Sequence, residues 1–277
     1  ADLCAFLDDS SVNFYAVDTV RRRLEAEGFS ELKMEDCWAL EPGDRRFVVK
    51  NGTAIFAFIV GTGSPERGFN IVAAHSDSPG FRIKPHCEMP TEGGGLRLNT
   101  EVYGGPILYT WFDRPLSFAG RVVLRSGNPL RPSHRLFRLG RPALVIPHLA
   151  IHFNRQVNEG NKLSRQKDML PVISLDETDS KGFIKAVVAA ELDVDAADIL
   201  DYDLSLYCTE KACTTGFRND MICAGRLDDL SMVHAGLSAL LAAAGTPSGY
   251  TRVLAIFDNE ETGSGTKQGA GSPVLEH

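Results

Sequence analysis

Basic side chains are not in excess in this 277-residue sequence, and they form no strongly basic block. Lysine and arginine number 29 against 36 aspartate and glutamate residues, so the formal net charge is −7 at pH 7. Proteins that bind nucleic acids generally carry a basic patch that neutralises phosphates. The composition therefore argues against nucleic acid as a partner.

Long apolar runs and paired cysteines are also missing. No apolar run approaches the roughly 20 residues that a membrane-spanning helix needs, so we expect no membrane partner. The six cysteines are scattered, and none forms a Cys-x-x-Cys pair. Scattered thiols in a large chain are typical of a protein kept reduced, which predicts a cytoplasmic location.

Two common catalytic motifs are absent as well. The sequence contains no Gly-x-Ser-x-Gly, so a serine hydrolase has no candidate nucleophile. The segment GSGTKQG, residues 263–269, superficially resembles a phosphate-binding loop. However, Lys267 is followed by Gln268 rather than by Ser or Thr, and we interpret the segment as a turn.

Hydrophobic periodicity predicts an α/β fold that is interrupted once. Apolar spacing predicts a helix over 2–28 that is broken once, and Asn51-Gly52 predicts a hairpin turn. Residues 1–86 are expected to contain strands buried on both faces. The predicted domains are 1–86, the first part of an α/β catalytic domain; 87–218, an inserted β-rich domain; and 219–277, the second part of the α/β domain.

Further elements follow from the same patterns. The Ala/Leu-rich segment 228–245 predicts a helix that stops at Gly245, and 179–200 is the main helical segment of the insert. The remaining predicted strands lie within 69–80, 95–103, 117–127, 141–153, 201–210 and 250–261.

Three polar clusters stand where predicted strands end or a helix begins. Ligand sites in α/β sheets form outside the carboxyl ends of the strands, so the clusters are expected to converge. The clusters are His75 with Asp77, Asp228 with Asp229, and Glu260 with Glu261.

Imidazole and carboxylate groups without a cysteine pattern suit a hydrolytic zinc site, in which a bridging carboxylate can hold two metals. Each cluster alone also has a purely structural explanation. His75-x-Asp77 is a common strand end, and Asp228-Asp229 would also suit a helix N-terminus. Glu260 and Glu261 would suit a solvated strand end. Only the three clusters together favour a metal site.

Five stretches, in order along nearly the whole chain, make the sequence resemble the aspartyl aminopeptidases, a family of dinuclear zinc exopeptidases. The stretches are AAHSDSPGFRIKP, EVYGGPILYTWFDRPLSFAGRV, PHLAIHFNRQVNEGNKLS, AGRLDDLSMVHAGL and FDNEETGSGTKQGAGS. The resemblance implies removal of N-terminal Asp or Glu from peptides, with two Zn²⁺ ions in each complete active site.

The resemblance also implies a role for each matching residue. His75 would bind zinc and be oriented by Asp77, and Asp228 would bridge the two metals. Glu261 would be a further metal ligand. Glu260 would be the general base toward the attacking water.

The family's inserted domain is a dimerisation module, and its dimers form a dodecamer, so the resemblance implies self-association. A histidine of the neighbouring subunit's insert reaches the substrate in this family. Two histidines occur in the matching segment, and we prefer His152 over His148.

The family chain is longer, and its later part supplies an Asp and a His as further ligands. This chain begins with Ala and ends soon after a turn, so we expect a fragment that alone has little or no activity. Two alternatives remain at this point: a catalytically incomplete assembly subunit of the same fold, and a metallohydrolase acting on other amides.

Overall fold

The computed structural model describes residues 1–176 and 181–276. The chain divides into two compact units, Ala1–Ser78 with Lys211–His277, and Pro79–Glu210. The helices are α1 (Asp2–Asp9), α2 (Asn13–Ala26), α3 (Phe183–Leu192) and α4 (Leu227–Ala243). The strands are β1 (Ser30–Glu31), β2 (Arg45–Lys50), β3 (Ala54–Ile59), β4 (Phe69–His75), β5 (Gly80–Pro90), β6 (Leu96–Tyr103), β7 (Leu116–Leu124), β8 (Ser133–Arg138), β9 (Val172–Ser174), β10 (Ile199–Cys208), β11 (Cys213–Thr215), β12 (Met221–Cys223) and β13 (Thr251–Phe257).

The first unit contains a five-stranded mixed sheet in the order β1-β2-β3-β13-β4. Helices α1, α2 and α4 bury their apolar residues against one face of this sheet. Alternate side chains of β13 lie on opposite faces of the sheet. Leu254 packs in the core with the helices, while Phe257 packs with Phe56 and Val274 on the other face. Both faces of β13 are therefore buried from Leu254 to Phe257, which explains the unbroken apolar sequence of this part of the strand.

The hairpin predicted at Asn51-Gly52 is confirmed. Strands β2 and β3 pair antiparallel with Lys50 opposite Ala54. Asn51 has φ 58° and Gly52 has φ 75°, and such left-handed conformations are those that Asn and Gly adopt at least cost. The broken helix over 2–28 is also confirmed, since Ser10 to Val12 separate α1 from α2.

Strand β4 corrects the expectation that strands of this region are buried on both faces. Phe69, Ile71 and Val72 are 58%, 51% and 46% exposed. Within the described residues β4 pairs only with β13 and is an edge strand. An apolar run predicts a buried strand, but it cannot show whether a neighbour is present to cover it.

The second unit is β-rich. Its six strands form an antiparallel sheet in the order β8-β7-β10-β5-β6-β9, and α3 packs in the core beneath it. The unit begins at Pro79, whereas the sequence predicted an inserted domain from residue 87. The prediction was based on a change in composition, and that change comes only after β5 has begun. The domain boundaries of the complete protein stay a prediction.

Two sequence expectations in the second unit need adjustment. Residues 141–153 do not form a regular strand; they make isolated bridges and a short 3₁₀ helix, Ile151–Phe153. Pro142 and Pro147 lack the N–H that a strand ladder requires, which explains the difference. The helical segment predicted over 179–200 contains α3, but it is too long, because Ile199 and Leu200 already belong to β10. Its first two residues, 179 and 180, lie outside the described residues.

None of the helices in the described part of the chain combines the length and the apolar character needed to cross a membrane.

Gly120 in β7 gives a test of the second unit's sheet. A Cβ added there would overlap the backbone oxygen of Asp203 on β10. We expect Gly120→Ala to lower the free energy of unfolding by about 2 kcal/mol or more, because neither strand can move without breaking the ladder. Urea unfolding measures this. Gly105→Ala is the matched control, since none of the described atoms lies within 4 Å of its added Cβ; equal stability of the two variants would contradict the prediction.

Candidate metal centre

The two strands that end in polar clusters lie side by side. Strands β4 and β13 are parallel, with His75 opposite Phe257. The backbone N–H of Ser76 donates to Phe257 O at 2.8 Å and extends the pairing by one residue. Because parallel strands end at the same edge of a sheet, the residues after β4 and those after β13 meet there. This one pair of strands therefore brings together clusters that are far apart in the sequence.

Asp77 is the organising side chain of this edge. It is 1% exposed, and its two carboxylate oxygens accept hydrogen bonds from the backbone N–H groups of Glu260 and Glu261, each at 3.2 Å. His75 Nδ1 lies 3.1 Å from the Asp77 backbone oxygen and 3.4 Å from its Oδ1. Asp77 therefore fixes both the imidazole ring and the turn that carries the two glutamates.

The other ring nitrogen of His75 faces three carboxylates. The distances from Nε2 are 3.4 Å to Asp228 Oδ1, 3.8 Å to Asp229 Oδ2 and 3.9 Å to Glu260 Oε2. Nδ1 is thus directed at Asp77 and Nε2 at the carboxylate cluster. This division leaves Nε2 as the nitrogen that can bind a metal.

Asp228 and Asp229 precede the regular part of α4. Their backbone angles are non-helical, and the residue at the N-cap position of α4 is Arg226, whose side chain makes no capping hydrogen bond. Asp229 Oδ2 instead accepts the backbone N–H of His75 at 3.1 Å, and the hydroxyl of Ser78 donates to Asp228 O at 3.3 Å. Both aspartates do lie in the first turn of α4, where negative charge suits a helix N-terminus, but these contacts also tie them to the residues that follow β4. The Asp228 side chain is 86% exposed and points away from the core.

Arg226 holds the turn before these aspartates. It has φ 60°, and its guanidinium donates to Leu7 O at 3.1 Å and to Ser10 O at 3.2 Å. These contacts tie the start of α4 to the end of α1. The position of Asp228 is thus set by hydrogen bonds on both sides of it.

A second network supports the turn after β13. Buried Asp258 accepts from Asn13 Nδ2 at 3.1 Å and from Gln268 Nε2 at 3.3 Å. Gln268 Nε2 also donates to Asn259 Oδ1 at 3.1 Å, and Asn259 has φ 61°. Burial raises the pKa of Asp258, although the hydrogen bond from Asn13 opposes that shift. This network holds the backbone that presents Glu260.

Crowded acidic groups determine the electrostatics of the site. Burial opposes protonation of His75, but the hydrogen bond and charge of Asp77 and the charge of Asp229 outweigh it and raise the His75 pKa to about 9. Burial raises the pKa of both Asp229 and Glu261, and neighbouring carboxylates add to the rise. Several acids around one imidazole favour any cation that can sit between them.

The donor set fits a metal ion. Ligand atoms of His75, Asp228 and Asp229 lie within 4.8 Å of one another, and so do those of His75, Glu260 and Glu261. One imidazole nitrogen with carboxylate oxygens is a donor set that Zn²⁺ accepts. Metal binding would displace the proton that the acidic surroundings otherwise hold on His75.

The structure brings together five of the six residues to which the family resemblance gives a role: His75, Asp77, Asp228, Glu260 and Glu261. The sixth, His152, lies in the second unit on the exposed 3₁₀ helix Ile151–Phe153.

His148 differs from His152 in its surroundings. Its ring packs edge-on against Phe112 at 4.6 Å between centroids, and its backbone N–H donates to Asp113 at 3.0 Å. The His148 ring is thus used in packing, while His152 is exposed to solvent.

Sequence reasoning found one further residue without giving it a role, and it missed another. Asp229 was singled out as part of a polar cluster, and in the structure its carboxylate contacts His75 directly. Asn13, which hydrogen-bonds Asp258 from 245 positions away, carried no signal at all.

Asp77→Asn tests the organising role of that side chain. An amide can accept from only one of the two backbone N–H groups, so we expect the free energy of unfolding to fall by about 1–3 kcal/mol. We also expect zinc affinity to fall about 10–100-fold, because the His75 ring loses its orienting partner. Urea unfolding of the metal-free protein and zinc titration measure the two effects. Exposed Asp36→Asn is the control; unchanged values for Asp77→Asn would contradict the role.

Comparison with known proteins gives one consistent match. A family model described as aminopeptidase I zinc metalloprotease (M18) matches residues 6–277. The probable M18 family aminopeptidase 2 of Clostridium novyi is 49% identical over 277 residues, which are 99% of this chain and 64% of that protein.

Solved structures agree with this match. The structure of Chaetomium thermophilum mApe1 has a TM-score of 0.91 and 32% identity, and the match covers 99% of this chain and 65% of that one. The S. cerevisiae mApe1 dodecamer has a TM-score of 0.86 and 25% identity, and the match covers 99% of this chain and 64% of that one. The chain thus spans less than two thirds of the length of these relatives.

Proposed function

Because this chain belongs to the M18 family of zinc metalloproteases, we propose that the protein is a metal-dependent aminopeptidase that removes N-terminal Asp or Glu from peptides. The observation that carries the proposal is the cluster around His75 Nε2, where Asp228, Asp229 and Glu260 approach within 3.4 to 3.9 Å. Family membership supports the aminopeptidase reaction. The preference for acidic residues rests on the five motif stretches.

His75, Asp228 and Glu261 would hold zinc, and the Asp229 carboxylate lies beside His75 and Asp228. We propose two ions in each complete site, and Asp228 would help to hold both of them, since a carboxylate has two donor oxygens. When bound, zinc supplies a Lewis acid that polarises the scissile carbonyl and stabilises negative charge on its oxygen. The high exposure of Asp228 leaves its carboxylate open to such ions.

Glu260 is the proposed general base. Its side chain is 56% exposed, and its Oε2 lies 3.9 Å from His75 Nε2. Its backbone N–H donates to Asp77, which fixes the position of the residue. It would take a proton from the attacking water and return it to the leaving amine, as a carboxylate positioned at the reacting atoms can do. The backbone N–H of Glu261 donates to the other carboxylate oxygen of Asp77, which leaves the Glu261 side chain available to bind metal.

Self-association is part of the proposal. The similar mApe1 protein of S. cerevisiae forms a dodecamer. We propose that the second unit, Pro79–Glu210, mediates dimerisation of this protein. The exposed His152 would then reach the substrate held by a neighbouring subunit.

A panel of aminoacyl anilides tests the function. With zinc supplied, we expect kcat/KM for Asp and Glu substrates to exceed that for Leu and Lys substrates by about 100-fold or more, since a pocket built for a carboxylate leaves its polar groups unpaired with other side chains. Equal rates for all four substrates would refute the preference for acidic residues but not the aminopeptidase activity. No hydrolysis by the zinc-loaded, full-length protein would refute the aminopeptidase activity and favour an assembly subunit, whereas little or no activity is the expected result for residues 1–277 alone.

A further inference from the structure

Strands β11 and β12 form a separate two-stranded antiparallel ribbon in the first unit. All residues of both strands are exposed, so the ribbon has no apolar core of its own. Two-stranded ribbons are at best marginally stable in water. The ribbon therefore needs some further restraint to hold one register.

Two cysteines stand directly opposite each other at the open end of this ribbon. Cys213 on β11 pairs with Cys223 on β12, followed inward by Thr214 with Ile222 and Thr215 with Met221. Both thiols are free and exposed. Side chains of directly opposed residues project to the same face of an antiparallel pair.

The geometry of this register suits a disulfide. Directly opposed residues have Cα atoms about 4.5–5.5 Å apart, and disulfides span Cα separations of about 4.4–6.8 Å. The twist between strands is also larger in two-stranded ribbons than in extended sheets, so the pair is not held to the geometry of a large sheet. We propose that Cys213 and Cys223 form a reversible disulfide that closes the ribbon under oxidising conditions.

The reaction is thiol–disulfide exchange with a low-molecular-weight disulfide such as glutathione disulfide. The thiolate of one cysteine attacks the small disulfide, forms a mixed disulfide and releases one small thiolate. The thiolate of the second cysteine then attacks the mixed disulfide, forms the Cys213–Cys223 bond and releases the other small thiolate. The protein pair loses two electrons and two protons, and the small disulfide is reduced to two thiols.

The ribbon leads directly to the candidate metal centre. Cys223 is followed by Arg226, whose guanidinium is anchored on the backbone of α1, and then by Asp228. The bond would fix the register of the segment that enters this turn. It lies outside the cluster itself, so the inference does not depend on the proposed reaction.

Peptide mapping tests the bond directly. The protein is reduced, freed of reductant, equilibrated with glutathione and glutathione disulfide, alkylated and digested with trypsin. Cleavage after Lys211, Arg218 and Arg226 places Cys213 in peptide 212–218 and Cys223 in peptide 219–226. We expect these two peptides to be recovered as one disulfide-linked species that dithiothreitol separates.

Three variants complete the test. Cys213→Ser and Cys223→Ser should each abolish the linked species and leave the remaining cysteine carrying glutathione. Exposed Cys37→Ser is the matched control and should leave the linked species unchanged. Glutathione on both Cys213 and Cys223 of the unmodified sequence, full alkylation of both in oxidising buffer, or linkage of either to another cysteine would overturn the proposal.

Discussion

In the full-length protein, Glu260→Gln is expected to lower kcat by about three orders of magnitude while the zinc content stays that of the unmodified protein. General acid–base catalysis contributes about 10²–10⁴-fold, and glutamine cannot accept the proton of the attacking water. The substitution keeps the size of the side chain, and the backbone N–H of residue 260 still reaches Asp77. Steady-state kinetics on an Asp anilide and elemental analysis of zinc measure the two quantities.

The control for this variant is Glu66→Gln, an exposed glutamate of the same unit that takes no part in the cluster. It should leave kcat and zinc content unchanged. A Glu260→Gln protein that loses its zinc would show that Glu260 is a metal ligand rather than the base. A variant with full zinc and full activity would remove Glu260 from the mechanism.

Asp228→Ala is expected to weaken zinc binding by more than about 100-fold and to abolish measurable activity at limiting zinc. Substitution of a group that only orients a metal ligand lowers metal affinity by about 10–100-fold, and loss of a bridging ligand should lower it further. Because the Asp228 side chain is 86% exposed, its removal should leave the fold intact. Calorimetric zinc titration measures the affinity, and urea unfolding in chelator measures the stability of the metal-free protein.

Exposed Asp36→Ala is the matched control for charge removal and should bind zinc as the unmodified protein does. Asp229→Ala is informative in the same series, since Asp229 holds the backbone of His75. If Asp229→Ala abolishes zinc binding and Asp228→Ala does not, the ligand has been assigned to the wrong member of the pair.

Local signals in the sequence were sufficient for most of the fold. Asn51-Gly52 predicted the hairpin because few residues adopt two successive left-handed conformations, and the Ala/Leu-rich segment predicted α4. The prediction was wrong where the outcome depends on neighbours. The apolar sequence of β4 does not reveal an exposed edge, and the two prolines of 141–153 outweighed its strand-like alternation.

The candidate site could likewise be predicted where the sequence signal is local, and not where it depends on tertiary contacts. The three polar clusters could be found because each lies beside an apolar segment, and the structure brings them together where β4 and β13 end in parallel. Their roles in zinc binding and proton transfer are proposals. The contacts of Asp258 with Asn13 and Gln268 could not be predicted, because the partners are joined only by the tertiary fold.

Anomalous diffraction at the zinc absorption edge, from crystals grown with zinc, tests the central claim most directly. We expect an anomalous peak about 2.0–2.2 Å from His75 Nε2, with a carboxylate oxygen of Asp228 at a similar distance. A second peak on the other oxygen of Asp228 would establish the bridge. Zinc-loaded crystals without anomalous density beside His75 and Asp228 would contradict the assignment of this cluster as the metal centre.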